Sequence, residues 1–398
     1  RLFHSQLNQS CKVQSGFGVF HIREFGLGCG KRKIFVSGNQ PMKKVAQTRP
    51  MNYSLLNQKG TAMKTRIFKL HRIIILSFFI LGLLIVEKAA AQLQKLKLAY
   101  VSPSGALATP WIAKEAGLFE KNGVEVEMIF IRGASTMIQT LVSGDIDLAH
   151  VAANPAVEAN LGGADVVVLA TALNRPVGFY MMGQPGVKSV EELRGGRVGI
   201  TRFGSATDLL SRIALRQFNL SPDRDVAIMQ LGGIPEIAAG LKTKVVMAGF
   251  VSSPLNLDLM ELGFNVLVDF GRDLLFPHAP FVVRKATARQ KDQAIRGVIR
   301  ALAEGIKIYR TQRDFTIKVL EKYTRTSDFK KLAQTYDTYA PFLEKIPYVD
   351  LKGIENILVE LAPRHPSAKS RKPSEFVDHR YVRELEDSGF FRSLYGDR

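Results

Sequence analysis

The chain has 398 residues, 46% of them hydrophobic, only two cysteines, and a formal net charge of +19. Residues 1–91 hold 15 of the 55 basic side chains and 2 of the 36 acidic ones, so the remaining 307 residues carry 40 against 34, a net of +6. That balance, with no basic stripe interleaved with aromatics, excludes nucleic acid as the expected partner, and a body without cysteine excludes a disulfide scaffold and a thiolate zinc site.

Residues 1–62 contain both cysteines, Cys11 and Cys29, show no sustained helical or strand period, and are expected to be an upstream extension outside the fold. A secretion signal is predicted over residues 63–91. Lys64, Arg66, Lys69 and Arg72 form its basic region, Ile73 to Val86 its apolar run of 14 residues, and Ala89 to Ala91 its small-residue cleavage site. Fourteen residues fall short of the ~20 that a membrane span needs, which leaves an uncleaved anchor as the alternative. No cysteine follows that could carry a lipid.

From Leu96 onward, strand and helix patterns alternate. LKLAYVS reads as a strand, Thr109-Pro110 opens a helix ending at Gly117, VEVEMIFI is a second strand, and Ser135 opens a helix ending at Gly144. IDLAHVA, a helix from Asn154-Pro155 to about Gly162, and the apolar strand ADVVVLATAL follow. After Asn174-Arg175-Pro176 the pattern restarts. Strand GFYMM leads to a helix capped by Ser189 with Glu192 in capping-box spacing; RVGIT, a helix capped by Ser205, VAIMQ, a helix at Pro235, KVVMAGFV, a helix at Pro254 and NVLVD complete it. Beyond Thr287 the chain reads as helical. Ile295, Val298, Ile299, Leu302, Ile306 and Tyr309 share one face, and further helices are expected over residues 315–323, 329–343 and 376–385, the last after a Pro-containing linker. Such alternation predicts parallel sheets with crossover helices, and ligands of such sheets bind at the carboxyl ends of the strands. The loops there are small and polar, and include Ser102, Ser104, Thr109, Arg202 and Ser252.

The runs TPWIAKEAGLFEKNGVEVEM, GASTMIQTLVSGDIDLAH and LRGGRVGITRFGS, in that order and spacing, resemble the periplasmic substrate-binding proteins of ABC importers, in the branch serving nitrate, taurine and aliphatic sulfonates. That branch shares its fold with thiamine-pyrimidine synthases. The resemblance implies an α/β, two-lobed periplasmic-binding-protein (type II) fold with a helical C-terminal tail. Residues 92–176 and 285–398 would form lobe 1 and residues 177–284 lobe 2, joined by two crossing strands that close on a ligand. The implied contacts are Ser102 and Ser104, Ala134 and Ser135, Asn154, and Gly204, Ser205 and Ala206. The implied partners are a small organic anion and an ABC permease with its ATPase, for a periplasmic monomer without cofactor or metal. A synthase-like enzyme and a module feeding a sensor are the alternatives, and the synthase chemistry calls for cysteine-rich iron ligation that this body lacks.

One departure from the pattern stands in the second lobe. Where the first reads Ser143-Gly144-Asp145-Ile146-Asp147, the second reads Thr243-Lys244-Val245-Val246-Met247, with Lys in place of a helix-ending Gly and Met in place of Asp. Asp145 and Asp147 lie at a strand's beginning, away from the cleft, and read as structural. The histidines are scattered; His278, before the second crossing, reads first as a surface or core histidine and alternatively as one that reaches the cleft. Trp111 reads either as packing or as a stacking wall. Arg132, Arg175 and Arg202 lie where a carboxylate or sulfonate could meet them. Mass spectrometry of the exported protein should find Gln92 at its N-terminus; peptides from residues 1–62 in the native host would overturn that expectation.

Overall fold

The computed structural model describes residues 93–396; the expected extension and signal lie outside the described residues. The first sheet is built from β1 (Gln94–Tyr100), β2 (Val124–Phe130), β3 (Leu148–His150) and β4 (Val166–Thr171). Between these strands run α1 (Thr109–Glu115), the single turn α2 (Leu118–Lys121), α3 (Ala134–Ser143) and α4 (Ala153–Leu161). The second half repeats the scheme with β5 (Phe179–Gly183), β6 (Arg197–Ile200), α5 (Ala206–Gln217), β7 (Ala227–Gln230), α6 (Ile234–Lys242), β8 (Ala248–Ser252), α7 (Leu255–Glu261) and β9 (Asn265–Asp269). After β10 (Pro280–Arg284) come α8 (Lys285–Gln290), α9 (Asp292–Thr311), α10 (Arg313–Thr324), α11 (Phe329–Tyr339), α12 (Leu351–Leu361), α13 (Arg380–Asp387) and α14 (Phe390–Tyr395).

Both sheets have five strands, in the orders β2-β1-β3-β10-β4 and β7-β6-β8-β5-β9. They are the same sheet twice. In each, the fourth strand runs antiparallel to its neighbours and is the one that the chain supplies on arriving from the other half. The expectation of parallel sheets is corrected accordingly: each sheet carries one antiparallel strand, the one that enters from a crossing. Residues 280–284, which the sequence assigned to lobe 2, are β10 and belong to the first sheet. The two crossings, residues 172–178 and 270–279, pair with each other: Ala172 N donates to Ala279 O (3.1 Å), His278 N to Leu173 O (2.9 Å) and Phe276 N to Asn174 O (2.9 Å).

Local chemistry places most elements. Pro110 and Pro235 sit in the first turns of α1 and α6, where a missing N–H is harmless. The six α9 positions predicted to share a face are all buried; Ile295, Val298, Ile299 and Leu302 pack with Leu98, Leu148, Leu169 and Phe281 of the first sheet. Two readings are corrected. The segment after Ser189 forms only a 3-10 turn, Glu191–Leu193, because Gly195 (φ 75°) and Gly196 follow before a helix can propagate. The expected helix over residues 376–385 begins only at Arg380, and the unforeseen α12 precedes the linker.

The repeat is preserved at an offset of 100 residues. Gly144 N donates to Leu141 O and Lys244 N to Leu241 O; Asp147 N donates to Lys97 O and Met247 N to Arg197 O. Gly144 turns the chain at φ 95°, whereas Lys244 adopts φ 61° with a side chain attached. Lys244→Gly is therefore expected to stabilise the protein by about 1 kcal/mol, read as a higher urea midpoint at unchanged slope.

Candidate ligand-binding cleft

Between the two sheets lies a cavity of about 60 Å³. By the volume one water occupies, it holds on the order of five water-sized groups. Its floor is apolar, with Val101, Leu107, Val151 and Phe179 among the lining residues. Ser102 and Ser104, from the loop after β1, face Thr201, Ser205 and Thr207, from the loop and helix start after β6, and Ser252 and His278 complete the polar wall. Three helices begin here, since Ala134 of α3, Ala206 of α5 and Ile234 of α6 all line the cavity. The positive ends of three helix dipoles thus converge on one small space.

The turn into α5 divides its polar groups sharply. Phe203 N donates to Gln230 Oε1 (2.8 Å), Gly204 N to Asp208 Oδ2 (2.9 Å) and Ser205 N to Arg202 O (3.2 Å). Ser205 Oγ accepts from Asp208 N (3.3 Å), the cap its sequence suggests, and lies 2.7 Å from Thr207 Oγ1. Thr207 Oγ1 also accepts from Thr201 N at 2.8 Å. The N–H groups of Ala206 and Thr207, at the cavity wall, have no acceptor among the described residues. The turn's carbonyls bind the opposite lobe: Ser135 Oγ donates to Phe203 O (2.6 Å) and Asn154 Nδ2 to Gly204 O (2.9 Å). With Gly105 N on Ser253 O (3.1 Å) and Arg132 on Glu236 (2.8 Å), these bonds hold the lobes closed.

Of the residues singled out from the sequence, Ser102, Ser104, Ala134, Ser205, Ala206 and Ser252 come together around the cavity. Thr109 does not; it is fully buried at the start of α1. Ser135, Asn154 and Gly204 form the lobe-to-lobe latch instead of the wall. Arg202 lies over Gly133, where a Cβ would stand 2.7 Å from its Nε, and is outside the wall. Arg132 is held by Glu236 and Arg175 donates to Arg272 O, so none of the three arginines expected near an anion lines the cavity. Trp111 is packing: it stacks on Tyr323 at 4.9 Å and meets Tyr100 edge-on. Asp147 accepts from Lys97 N and pairs with Lys291, remote from the wall.

Thr201, Thr207, Phe179 and Ile234 line the cavity without having been singled out. Thr207 is two positions past the recognised cap and Ile234 opens a helix at Gly233-Ile234-Pro235, so the pattern of loop plus helix start could have flagged both. Phe179, at the start of β5, reaches the cavity with no local pattern to signal it, whereas His278 takes the cleft position that the sequence offered as its alternative. Ser102 Oγ and His278 Nδ1 are buried with no hydrogen-bond partner among the described residues. Burial pushes His278 down to about 4, so its ring is neutral at pH 7.

The model of the NMT1-like family matches residues 89–319. A protein of Brucella abortus (strain 2308) named as a binding protein is 23% identical over 222 residues, 54% of this chain and 66% of its own length. A protein of Escherichia coli K12 named as an aliphatic sulfonates-binding protein is 27% identical over 216 residues, 53% of this chain and again 66% of its own. The matched part of this chain thus spans just under two thirds of these curated relatives. Among solved structures, the periplasmic nitrate-binding protein NrtA from Synechocystis PCC 6803 aligns with a TM-score of 0.65 at 16% identity, over 75% of this chain and 89% of that one. At that identity the likeness establishes the fold.

Gly204 (φ 77°) sits where the lobes meet: a Cβ there would stand 2.7 Å from Glu158 Oε2 and 3.4 Å from Ser135 Oγ. Gly204→Val should hold the cleft open, giving a larger radius of gyration by X-ray scattering and at least tenfold weaker ligand binding. Asp147→Asn should lower stability by about 1 kcal/mol, one polar contact's worth, and leave affinity unchanged.

Proposed function

This chain belongs to the NMT1-like family and has the periplasmic-binding-protein fold, and from that premise we propose that it is an extracytoplasmic solute-binding protein. It captures a small organic anion between its lobes and delivers it to an ABC permease and its ATPase. The observation that carries this reading is the cavity between the lobes. It is bridged by bonds from one lobe to the other, lined by hydroxyls over an apolar floor, and left with unpartnered polar groups at Ser102, His278 and the first turn of α5. Buried polar groups without partners are costly in a finished core and are what a ligand satisfies in a site.

An anionic head at the helix starts supports the same reading. Each helix N-terminus contributes about 0.3–2 kcal/mol and each hydrogen bond to a charge about 1.5–3 kcal/mol. A few such contacts reach the roughly 8 kcal/mol of micromolar binding after the costs of association. The names of the sulfonate-binding and nitrate-binding relatives point to the same class of ligand. Export through the signal over residues 63–91 would bring the protein to its solute, with no helix among the described residues long and apolar enough to cross a membrane. We read the protein as a carrier that releases its ligand unchanged, in keeping with relatives named as binding proteins.

A thermal-shift screen against small sulfonates, carboxylates and nitrate tests this. A ligand at 100 times its Kd stabilises by about 2.7 kcal/mol, and chromatography should recover it unmodified. A stoichiometric product, or stabilisation by cationic solutes alone, would refute the reading.

A further inference from the structure

The cavity has no cation in its wall. None of its lining residues is Asp, Glu, Lys or Arg, and Arg132 and Arg175 are engaged by Glu236 and by the carbonyl of Arg272. A full negative charge buried there would meet only partial charges, roughly half an elementary charge at each helix start. One lining group can become a cation. His278 lies in the second crossing, 8% exposed, its backbone N–H bonded to Leu173 O at 2.9 Å and its ring beside Phe179 (centroids 4.8 Å apart) and Phe276 (6.3 Å). Its buried Nδ1 has no hydrogen-bond partner among the described residues.

We propose that the cavity takes its anion together with one proton, carried by His278, so that imidazolium and anion enter the closed cleft as a neutral pair. The proposal rests on the solute-binding reading above and specifies how that site balances charge. The groups facing His278 fit the role. Its ring meets phenylalanines from β5 and from its own segment, while the first crossing engages its backbone N–H. The titratable neighbour at the end of β3, His150, is fully buried, stacked on Phe281 at 4.1 Å and bonded through Nδ1 to Pro280 O. Burial holds His150 at about 3, so it stays neutral throughout the relevant range. Arg175 and Glu344 along the first crossing are engaged by Arg272 O and Asn174. Among the described residues, none of the groups that face His278 offers a free negative charge.

The sign follows from linkage. Without ligand His278 titrates at about 4. A bound anion raises that value, so a proton is taken up at any pH between the free and bound values, and affinity falls tenfold per unit as pH rises through that window. Below pH 4 the ring is charged in both states and affinity levels off.

The test is calorimetry of the purified protein with ethanesulfonate, which stays fully ionised in this range, and with propionate, which can bring its own proton. Each titration is run from pH 5 to 7 in two non-sulfonate buffers of different ionisation enthalpy. Ethanesulfonate is expected to bind with uptake of close to one proton and about a tenfold loss of affinity from pH 5 to 6, and propionate, partly protonated in solution at pH 5, with a smaller uptake and loss there that approach those of ethanesulfonate above pH 6. His278→Gln should abolish the uptake and weaken ethanesulfonate at pH 5 at least tenfold. Imidazole nitrogen shifts in the unmutated protein should move from neutral to imidazolium when ethanesulfonate is added at pH 6, a readout that does not depend on the variant folding. Ethanesulfonate binding without proton uptake, uptake with propionate only, or a slope that survives in His278→Gln would overturn the proposal while leaving the solute-binding reading intact. Binding of neither anion at any pH would overturn both.

Discussion

The paired crossings are the constraint on which the rest of the molecule depends. Three backbone bonds between residues 172–174 and 276–279 join the only two connections between the lobes among the described residues, and each crossing runs on into the antiparallel strand of the sheet it enters. The lobes are thereby tied together at the core of both sheets, and bending about this ladder is the motion the connectivity permits. The same ladder brings Phe179 and His278 to the cavity. The C-terminal helices brace it. Gly353 of α12 lies so close to the return crossing that a Cβ would stand 2.5 Å from Pro277 Cδ, and Asn356 Nδ2 donates to Leu275 O. Tyr339 of α11 presses its ring on Gly105 and Gly178 and donates to Gly178 O.

Closure and binding use different atoms of the same turn. The carbonyls of Phe203 and Gly204 receive the first lobe, their N–H groups are satisfied within the second, and the amides of Ala206 and Thr207 remain for the cavity. The exposed Arg132–Glu236 pair adds little by itself, as exposed pairs do. The hydrogen bonds from Ser135 and Asn154 form only when the lobes meet, so filling the cavity and closing the latch are coupled through a single short segment.

Much of this was legible in the residues because the signals are local. Pro110, Pro235 and the cap at Ser205 mark helix starts at their observed places, and the face of α9 follows from spacing alone. The second lobe's departure at Lys244 was readable as a strained turn, and its φ of 61° is that strain. α12 escaped notice because a glycine inside a helical pattern reads as a break; Gly353 is instead a close approach to Pro277, a reason that exists only after folding.

What the sequence determined by itself is the alternation of strand and helix, its repetition in two halves, and the set of polar loops at the carboxyl ends of the strands, since periodicity and caps act over a few residues. The tertiary structure alone decided how those loops divide their work. Ser135 and Asn154 found carbonyls 68 and 50 residues away, Arg132 a carboxylate 104 residues away, and His278 a place in the wall of a cavity without formal charge. Two hydroxyls of equal local promise, Ser205 and Ser135, ended as cavity wall and latch. Which of them faces the ligand depends on how two lobes meet, and that geometry is a property of long-range packing which no local pattern encodes.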